Sequence, residues 1–173
     1  MSKLLLAFTA FATACAGGPV AAAVLGPHAA DCADGSGKPA MLVSVDGLKD
    51  RAGRIRIQIY GGDPAHYFDK GTYLDRVDVA SPPAGPVTVC MPVAKPGLYA
   101  VYVWNDENHN GHKDMSDGIG FSGNPDFSYF DAIFARRPSP AQVQVKVAGV
   151  TTVPVVLNYI QGMSVKKLVP VPR

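Results

Sequence analysis

One stretch of the chain alternates between apolar and polar side chains more regularly than any other. Residues 54–60 read Arg-Ile-Arg-Ile-Gln-Ile-Tyr. Successive side chains of a β-strand point to opposite faces, so the pattern predicts a strand. Its three isoleucines face a core, whereas Arg54, Arg56 and Gln58 face outward. Such a strand needs a second layer of structure to cover its apolar face.

Shorter segments repeat this pattern between turns rich in glycine and proline. The chain has 18 Gly and 15 Pro, and Glu107 is its one glutamate, so helix-forming residues are scarce. We therefore predict an all-β fold, an antiparallel β-sandwich of about seven strands with Greek-key-like connections. The further predicted strands cover residues 41–46, 74–80, 87–93, 98–104, 143–147 and 153–159.

Local features predict where some strands lie in the sheets. Residues 98–104 are apolar on both faces, which is typical of a central strand. Pro154 cannot donate a ladder hydrogen bond, which favours an edge position for the last strand. A two-residue turn with Gly149 near its centre would connect residues 143–147 to that strand. Residues 65–73 lack a clear period, and we expect a short helical turn there.

The N-terminus has the features of an export signal over residues 1–23, with Lys3, an apolar segment and a small-residue cleavage site ending at Ala23. This predicts a periplasmic or secreted bacterial protein without a membrane span. Lipidation at Cys15 is the alternative, but Ala12 stands where such motifs favour a branched apolar residue. Beyond the signal we expect an arm at 24–39, a domain at 40–160 and a C-terminal tail at 161–173 that is loose from Lys166 onward.

The cysteines predict one disulfide. Cys15 leaves with the signal, so Cys32 and Cys90 remain as a pair in an oxidising compartment. A bridge between them would pin the arm to a strand and stabilise the fold by about 2–4 kcal/mol. Two buried free thiols are the alternative.

The most polar loop of the chain has the spacing of a calcium-binding loop. Residues 106–117 read D-x-N-x-N-G-x-x-D-x-x-D, with Gly111 at the turn. Oxygen ligands at this spacing suit Ca²⁺, with His112 contributing its backbone carbonyl. The predicted metal ligands are Asp106, Asn108, Asn110, His112, Asp114 and Asp117.

A metal-free polar turn would use the same residue types, because Asn and Asp side chains bond their own backbone. Asp117 is also shorter than the bidentate glutamate that such loops prefer, and nearby basic side chains dilute the negative charge. We therefore expect weak affinity, in the micromolar to millimolar range typical of extracellular modules.

The aromatic side chains of residues 126–135 allow two interpretations. They fold over one end of the sandwich as core, or they form an exposed platform for a carbohydrate or cell-wall ligand, with Trp104, Phe127 and Tyr129 as its candidate ligand-binding residues. A third hypothesis is a transition-metal site that uses His109 and His112.

No serine or thiol has an identifiable base and orienting group, so we predict that the protein is not an enzyme. A net charge of +2 gives no electrostatic signature of nucleic-acid binding. The expected partner is an unidentified protein or a glycan.

Three segments occur in a characteristic order: Gly97-Leu98-Tyr99-Ala100, the loop from Asp106 to Gly111 with Asp114, and Gly118-Ile119-Gly120-Phe121-Ser122-Gly123-Asn124. Together they resemble a secreted bacterial family, Domain of Unknown Function 2141. The resemblance covers roughly residues 40–160. It implies a transthyretin-like or carboxypeptidase-regulatory-type β-sandwich outside the cytoplasm, and no assigned activity. The leading hypothesis is an accessory or binding module whose long loop is stabilised by calcium.

Overall fold

The alternating segments pair into two sheets in the computed structural model of the chain, which describes residues 23–168. Eleven strands, several of them short, lie within those residues. The strands are β1 (Val24–Leu25), β2 (Ala40–Asp46), β3 (Arg54–Gly61), β4 (Asp75–Ala80), β5 (Val87–Pro92), β6 (Gly97–Asp106), β7 (Gly118–Phe121), β8 (Val145–Val147), β9 (Val150–Val156), β10 (Asn158–Gln161) and β11 (Ser164–Lys167). The all-β sandwich is confirmed.

Two short helices and two single turns of 3-10 helix complete the described structure. The helices are α1 (Tyr129–Ile133) and α2 (Pro140–Val143), and the 3-10 turns span Ala29–Cys32 and Pro64–His66. Within residues 23–168, no helix has the length and apolar character needed to cross a membrane. The predicted export signal, apart from Ala23, and Cys15 lie outside the described residues.

The smaller sheet has the order β1-β5-β2-β9 and the larger sheet the order β11-β10-β7-β6-β3-β4, with β8 also paired to β6. Most pairings are antiparallel, as predicted, but β1 lies parallel to β5 and β9 lies parallel to β2. Strand β6 is central, with β3, β7 and β8 as partners. Pro154 lies in the edge strand β9, where its missing N–H breaks no ladder.

The main core fills the space between the sheets. The three isoleucines of β3 face it, together with Val101 and Val103 of β6 and alternate residues of β2, β5 and β9. Arg54, Arg56 and Gln58 point to the other face, as the alternation predicts. Aliphatic side chains dominate this core, which both sheets close.

The two-residue turn predicted near Gly149 links the two sheets, because residues 148 and 149 separate β8 from β9. Strand β8 pairs with β6 in the larger sheet, whereas β9 pairs with β2 in the smaller sheet, so the turn carries the chain across the sandwich. The chain crosses back after Leu157, and β10 joins the larger sheet. Alternation identifies a strand and its buried face, but it does not identify the neighbouring strand.

Both ends of the domain extend further than expected. Strand β1 of the N-terminal arm pairs with β5, and β11 lies within the predicted C-terminal tail, where it pairs with β10. The disulfide between Cys32 and Cys90 is confirmed, with the two Cα atoms 5.7 Å apart. It joins the 3-10 turn of the arm to β5, as predicted.

Candidate functional site

A second apolar cluster covers the outer face of the larger sheet. It consists mainly of aromatic side chains carried by β3, β6 and β7, with Phe68, Tyr73 and Phe127 packed against it from the connecting segments. The buried members are Tyr60, Tyr67, Ala100, Tyr102, Trp104, Phe121 and Val143. We call this set the outer aromatic cluster. No second sheet of residues 23–168 covers it, and part of it remains open.

The opening is a cleft of about 680 Å³. Its floor includes Tyr60, Tyr102 and Phe121, and its walls come from residues 68–73, from residues 132–137 and from the loop at 113–117. Small-molecule sites commonly have this size and this mixture of aromatic surface with a few polar groups. The cleft is therefore the main candidate site among the described residues.

Phe68 lies at the centre of the cluster in a strained conformation. Its φ is +65°, in the left-handed region that bulky side chains rarely adopt. The ring makes edge contacts with Tyr60 and Phe121, at centroid distances of 5.0 and 5.1 Å. A left-handed non-glycine residue costs of order 1–3 kcal/mol, and such strain is concentrated at functional sites.

The two tyrosines of the cleft floor keep their hydroxyl protons. Burial raises the pKa of Tyr60 to about 12 and raises the pKa of Tyr102 as well. No hydrogen bond from another group of residues 23–168 contributes to either shift. Both hydroxyls therefore offer a neutral donor and acceptor to whatever occupies the cleft.

Arg137 ties two walls of the cleft together. Its guanidinium donates to the Asp69 carboxylate and to the backbone carbonyl of Tyr67, 3.4 Å away. The hydrogen bond from Arg137 is the main reason why the pKa of Asp69 lies below its usual range, and His66 adds to the effect. The contact joins the segment after α1 to the turn that carries Phe68.

The third wall is the loop in which the sequence predicts a calcium site. Gly111 has φ +76°, the sharp turn that the sixth loop position requires. The carboxylate of Asp106 is fully buried and accepts the backbone N–H groups of Asn110 and Gly111. It also pairs with Arg54, whose Nη2 lies 2.9 Å from Oδ2. This arrangement anchors the start of the loop to β3.

Asp117 anchors the other end of the loop. Its Oδ2 accepts the indole N–H of Trp104 at 2.8 Å and the backbone N–H of Asp114 at 3.1 Å. Its Oδ1 accepts the backbone N–H of Glu107. Asp117 is buried, and its oxygens face these three donors.

The remaining predicted side-chain ligands converge on one another. The amide nitrogens of Asn108 and Asn110 both donate to Oδ2 of Asp114, at 2.7 and 3.0 Å, while Ser116 donates to Oδ1. These bonds hold the pKa of Asp114 at about 2, with the Ser116 side chain as the largest cause. The loop thus brings Asn108, Asn110 and Asp114 together, and places Asp106 and Asp117 at separate anchor points.

Within residues 23–168, no three His, Cys, Asp or Glu side chains are grouped closely enough to hold a metal ion. His109 and His112 are both exposed. The calcium ligand set, including the carbonyl of His112, stays a prediction.

The structure corrects the predicted aromatic platform. Trp104 is only 3% exposed, and its ring lies under the guanidinium of Arg56, so it cannot stack on a ligand. Phe127 is half-buried against Phe121, and Tyr129 is half-buried beside Phe130.

The expectation that the aromatics of residues 126–135 all pack as core is wrong for two of them. Phe130 and Phe134 are 60% and 63% exposed and stack on each other. They lie four residues apart on a helical turn, a spacing that puts both rings on one side. Ala132 of α1 lines the cleft, whereas these two rings face solvent.

The sequence pattern did not indicate most of the residues that line the cleft. Phe68, Tyr73 and Arg76 lie in or beside an irregular segment, and only the folded chain brings them over β3 and β6. A signal did exist for the floor, because the outward face of the predicted central strand carries Tyr102 and Trp104. Large rings on the outer face of a sheet indicate a second covered surface.

The model of the family described as "Uncharacterized protein conserved in bacteria (DUF2141)" matches residues 43–153. The match covers most of the chain and confirms the resemblance found in the sequence. Neither the curated proteins nor the solved structures include a match to this chain.

Proposed function

The chain belongs to the DUF2141 family of uncharacterised bacterial proteins, and we propose that it is an exported, non-catalytic binding module whose ligand site is the outer cleft. The observation that carries this proposal is the combination of cleft volume and lining. An opening of about 680 Å³ has a floor of aromatic rings, and no second sheet within the described part of the chain covers them. The strained Phe68 at its centre supports the same interpretation.

A cleft-filling substitution tests the proposal. Ala132 lines the cleft from α1, so Ala132→Phe places a ring in the binding volume. Ala141 is exposed on α2 and does not line the cleft, so Ala141→Phe is the matched control. Fragment binding is measured by amide chemical shifts in the purified protein.

We expect fragments to shift the amides of β3, β6 and β7, and Ala132→Phe to weaken this binding at least about tenfold. Ala141→Phe should leave it unchanged. Fragment affinities that are equal in the wild type and in Ala132→Phe would rule out the cleft as the ligand site.

The same proposal gives calcium a structural role at the loop of residues 106–117. The convergence of Asn108, Asn110 and Asp114 supports it, because rotating the two amides would turn oxygens toward the Asp114 carboxylate. The backbone N–H of Asn110 would still have Asp106 as an acceptor after Asn108 rotates. Bound calcium would then order the third wall of the cleft.

Thermal unfolding after treatment with EDTA tests the calcium role. A ligand present at about ten times its Kd stabilises the folded state by about 1.4 kcal/mol, so Ca²⁺ at about 10 mM should raise the midpoint measurably across the expected range of affinity. Asp114→Asn should abolish the rise, whereas Asp34→Asn, in the exposed arm, should retain it. An unfolding midpoint that does not change with Ca²⁺ would exclude this role. A response to Zn²⁺ or Cu²⁺ alone would favour a transition-metal site that uses His109 and His112.

The alternative of a carbohydrate- or cell-wall-binding module now depends on Phe127 and Tyr129 without Trp104. Phe127 lines the cleft, whereas Tyr129 does not, so sugar binding through both rings would use a surface that coincides with the cleft only in part.

A further inference from the structure

The carboxylates that line the cleft differ from two of its cations in how far protein groups already satisfy their hydrogen bonds. Three carboxylates lie there, on Asp69, Asp114 and Asp117. Each accepts hydrogen bonds from the protein itself: Asp69 from Arg137, Asp114 from the Asn amides and Ser116, and Asp117 from Trp104. Their acceptor capacity is thus largely used before any ligand arrives.

Two of the lining cations are bound differently. The ammonium of Lys113 lies 4.5 Å from the centre of the Tyr102 ring, and the guanidinium of Arg76 lies 5.6 Å from the centre of the Tyr73 ring. Neither side chain forms a salt bridge with a carboxylate of residues 23–168. Contact with a ring face leaves the N–H donors of a cation free for another partner.

We infer that the cleft binds a small organic anion, in which a flat apolar body packs on the half-buried rings of Phe68 and Phe127 and a carboxylate or phosphate accepts from Lys113 and Arg76. This inference rests on the proposed function, and it adds the chemical class of the ligand. The cleft then matches its ligand in both shape and sign of charge.

A neutral sugar fits the same lining less well. Sugar hydroxyls are recognised by donors and by free acceptors together, and the three carboxylates of the cleft already accept from protein groups. A charge-assisted bond from an ammonium or guanidinium to an anion is roughly twice as strong as a bond between neutral groups. The available donors therefore select an anion.

Two fluorescent probes that share one ring system measure the contribution of the apolar body separately from that of the anionic group. Anilinonaphthalene sulfonate carries an anionic group, and phenylnaphthylamine is its neutral counterpart. Both are titrated against the purified protein in EDTA, so that metal binding at the loop does not contribute. We expect the anionic probe to bind at one site, about tenfold or more tightly than the neutral probe.

Lys113→Met removes the charge and keeps a similar side-chain length. It should weaken the anionic probe about tenfold and change the neutral probe by less than about twofold, whereas Lys113→Arg should keep most of the affinity. Lys146→Met is the matched control, because Lys146 is exposed on β8 and does not line the cleft. The thermal midpoint of each variant checks that it is folded.

The outcomes distinguish this inference from the proposed function. If neither probe binds, both the cleft as a ligand site and the anion assignment are wrong. If both probes bind equally well, or if Lys113→Met weakens them by the same factor, the cleft remains a binding site but the anion assignment is overturned. Binding of the anionic probe that neither Lys113→Met nor Ala132→Phe affects would place that probe elsewhere and would also overturn it.

Discussion

The two apolar regions of this protein differ in how they are covered. The inner core lies between the two sheets and consists mostly of isoleucine, valine and methionine. The outer aromatic cluster lies on the opposite face of the larger sheet, under connecting segments only. Aliphatic side chains pack densely where two sheets meet. Rings with polar tips suit a surface that is covered on one side and open on the other.

The two faces of β3 and β6 lie in different environments. Ile57 and Val103 are opposite each other in the ladder and face the closed core. Gln58 and Tyr102 are the next opposed pair, and both line the cleft. One pair of strands therefore faces the closed core on one side and lines the proposed binding cleft on the other.

The largest expected effect concerns the disulfide on the closed side of the molecule. The bridge links residues separated by 58 positions, and the chain-entropy relation gives about 4 kcal/mol for a loop of that length. Cys32→Ser with Cys90→Ser should lower the free energy of unfolding by that amount in urea. The wild type in reductant should behave in the same way. A loss below about 1 kcal/mol would contradict the role of the arm in closing the smaller sheet.

A pair of identical substitutions compares the two regions directly. Ile57 is fully buried in the inner core, and Ile133 is 44% exposed on α1. Ile57→Ala should lower the free energy of unfolding by about 3 kcal/mol, because it leaves a cavity that the sheets cannot fill. Ile133→Ala should change it by less than about 0.5 kcal/mol. Similar losses of unfolding free energy in the two variants, measured by urea denaturation, would contradict the difference in coverage between the two regions.

A smaller effect is expected from the polar anchor of the outer cluster. Trp104→Phe keeps a ring but removes the donor to Oδ2 of Asp117. The loss of a hydrogen bond to a buried charged group, together with some ring volume, should cost about 2 kcal/mol. Hydrogen exchange should increase at residues 106–118 more than at β2. Uniform loosening of both regions would show that Trp104 acts only through packing.

The smallest expected effect is a local response to acid. The folded-state pKa of Asp114 is about 2, below its ordinary value of 3.8. A carboxylate with a depressed folded-state pKa contributes stability above its unfolded-state pKa, and that contribution is lost as the pH falls through the folded-state value. Between about pH 4 and pH 2, loop order should decrease.

The single tryptophan reports this change, since Trp104 bonds to Asp117 in the same loop. Its emission should shift over that pH range in the wild type, and Asp114→Asn should remove the loop-specific part of the shift. An identical acid response in the two proteins would assign the change to other carboxylates, such as Asp78 paired with Arg56.

Much of the scaffold was predictable because it depends on local pattern. Alternation identified β3 and its buried face, apolar character on both faces placed β6 at the centre, and Pro154 indicated an edge. The disulfide between Cys32 and Cys90 followed from the predicted oxidising compartment and from the two cysteines that remain after the predicted signal. The loop spacing correctly placed a sharp turn at Gly111, although its spacing did not reveal that Asp106 and Asp117 would face protein donors.

The remaining features depend on contacts between distant parts of the chain. Period-two alternation determined which side chains of a strand share a face, because the backbone imposes that geometry residue by residue. It could not determine that β8 and β9 belong to different sheets, nor that Phe68 lies over Tyr60 and Tyr102. Those arrangements were decided by tertiary packing, since burying the outer face of the larger sheet requires segments that are remote in sequence. The sequence thus determined a sandwich, and only the tertiary structure created its cleft.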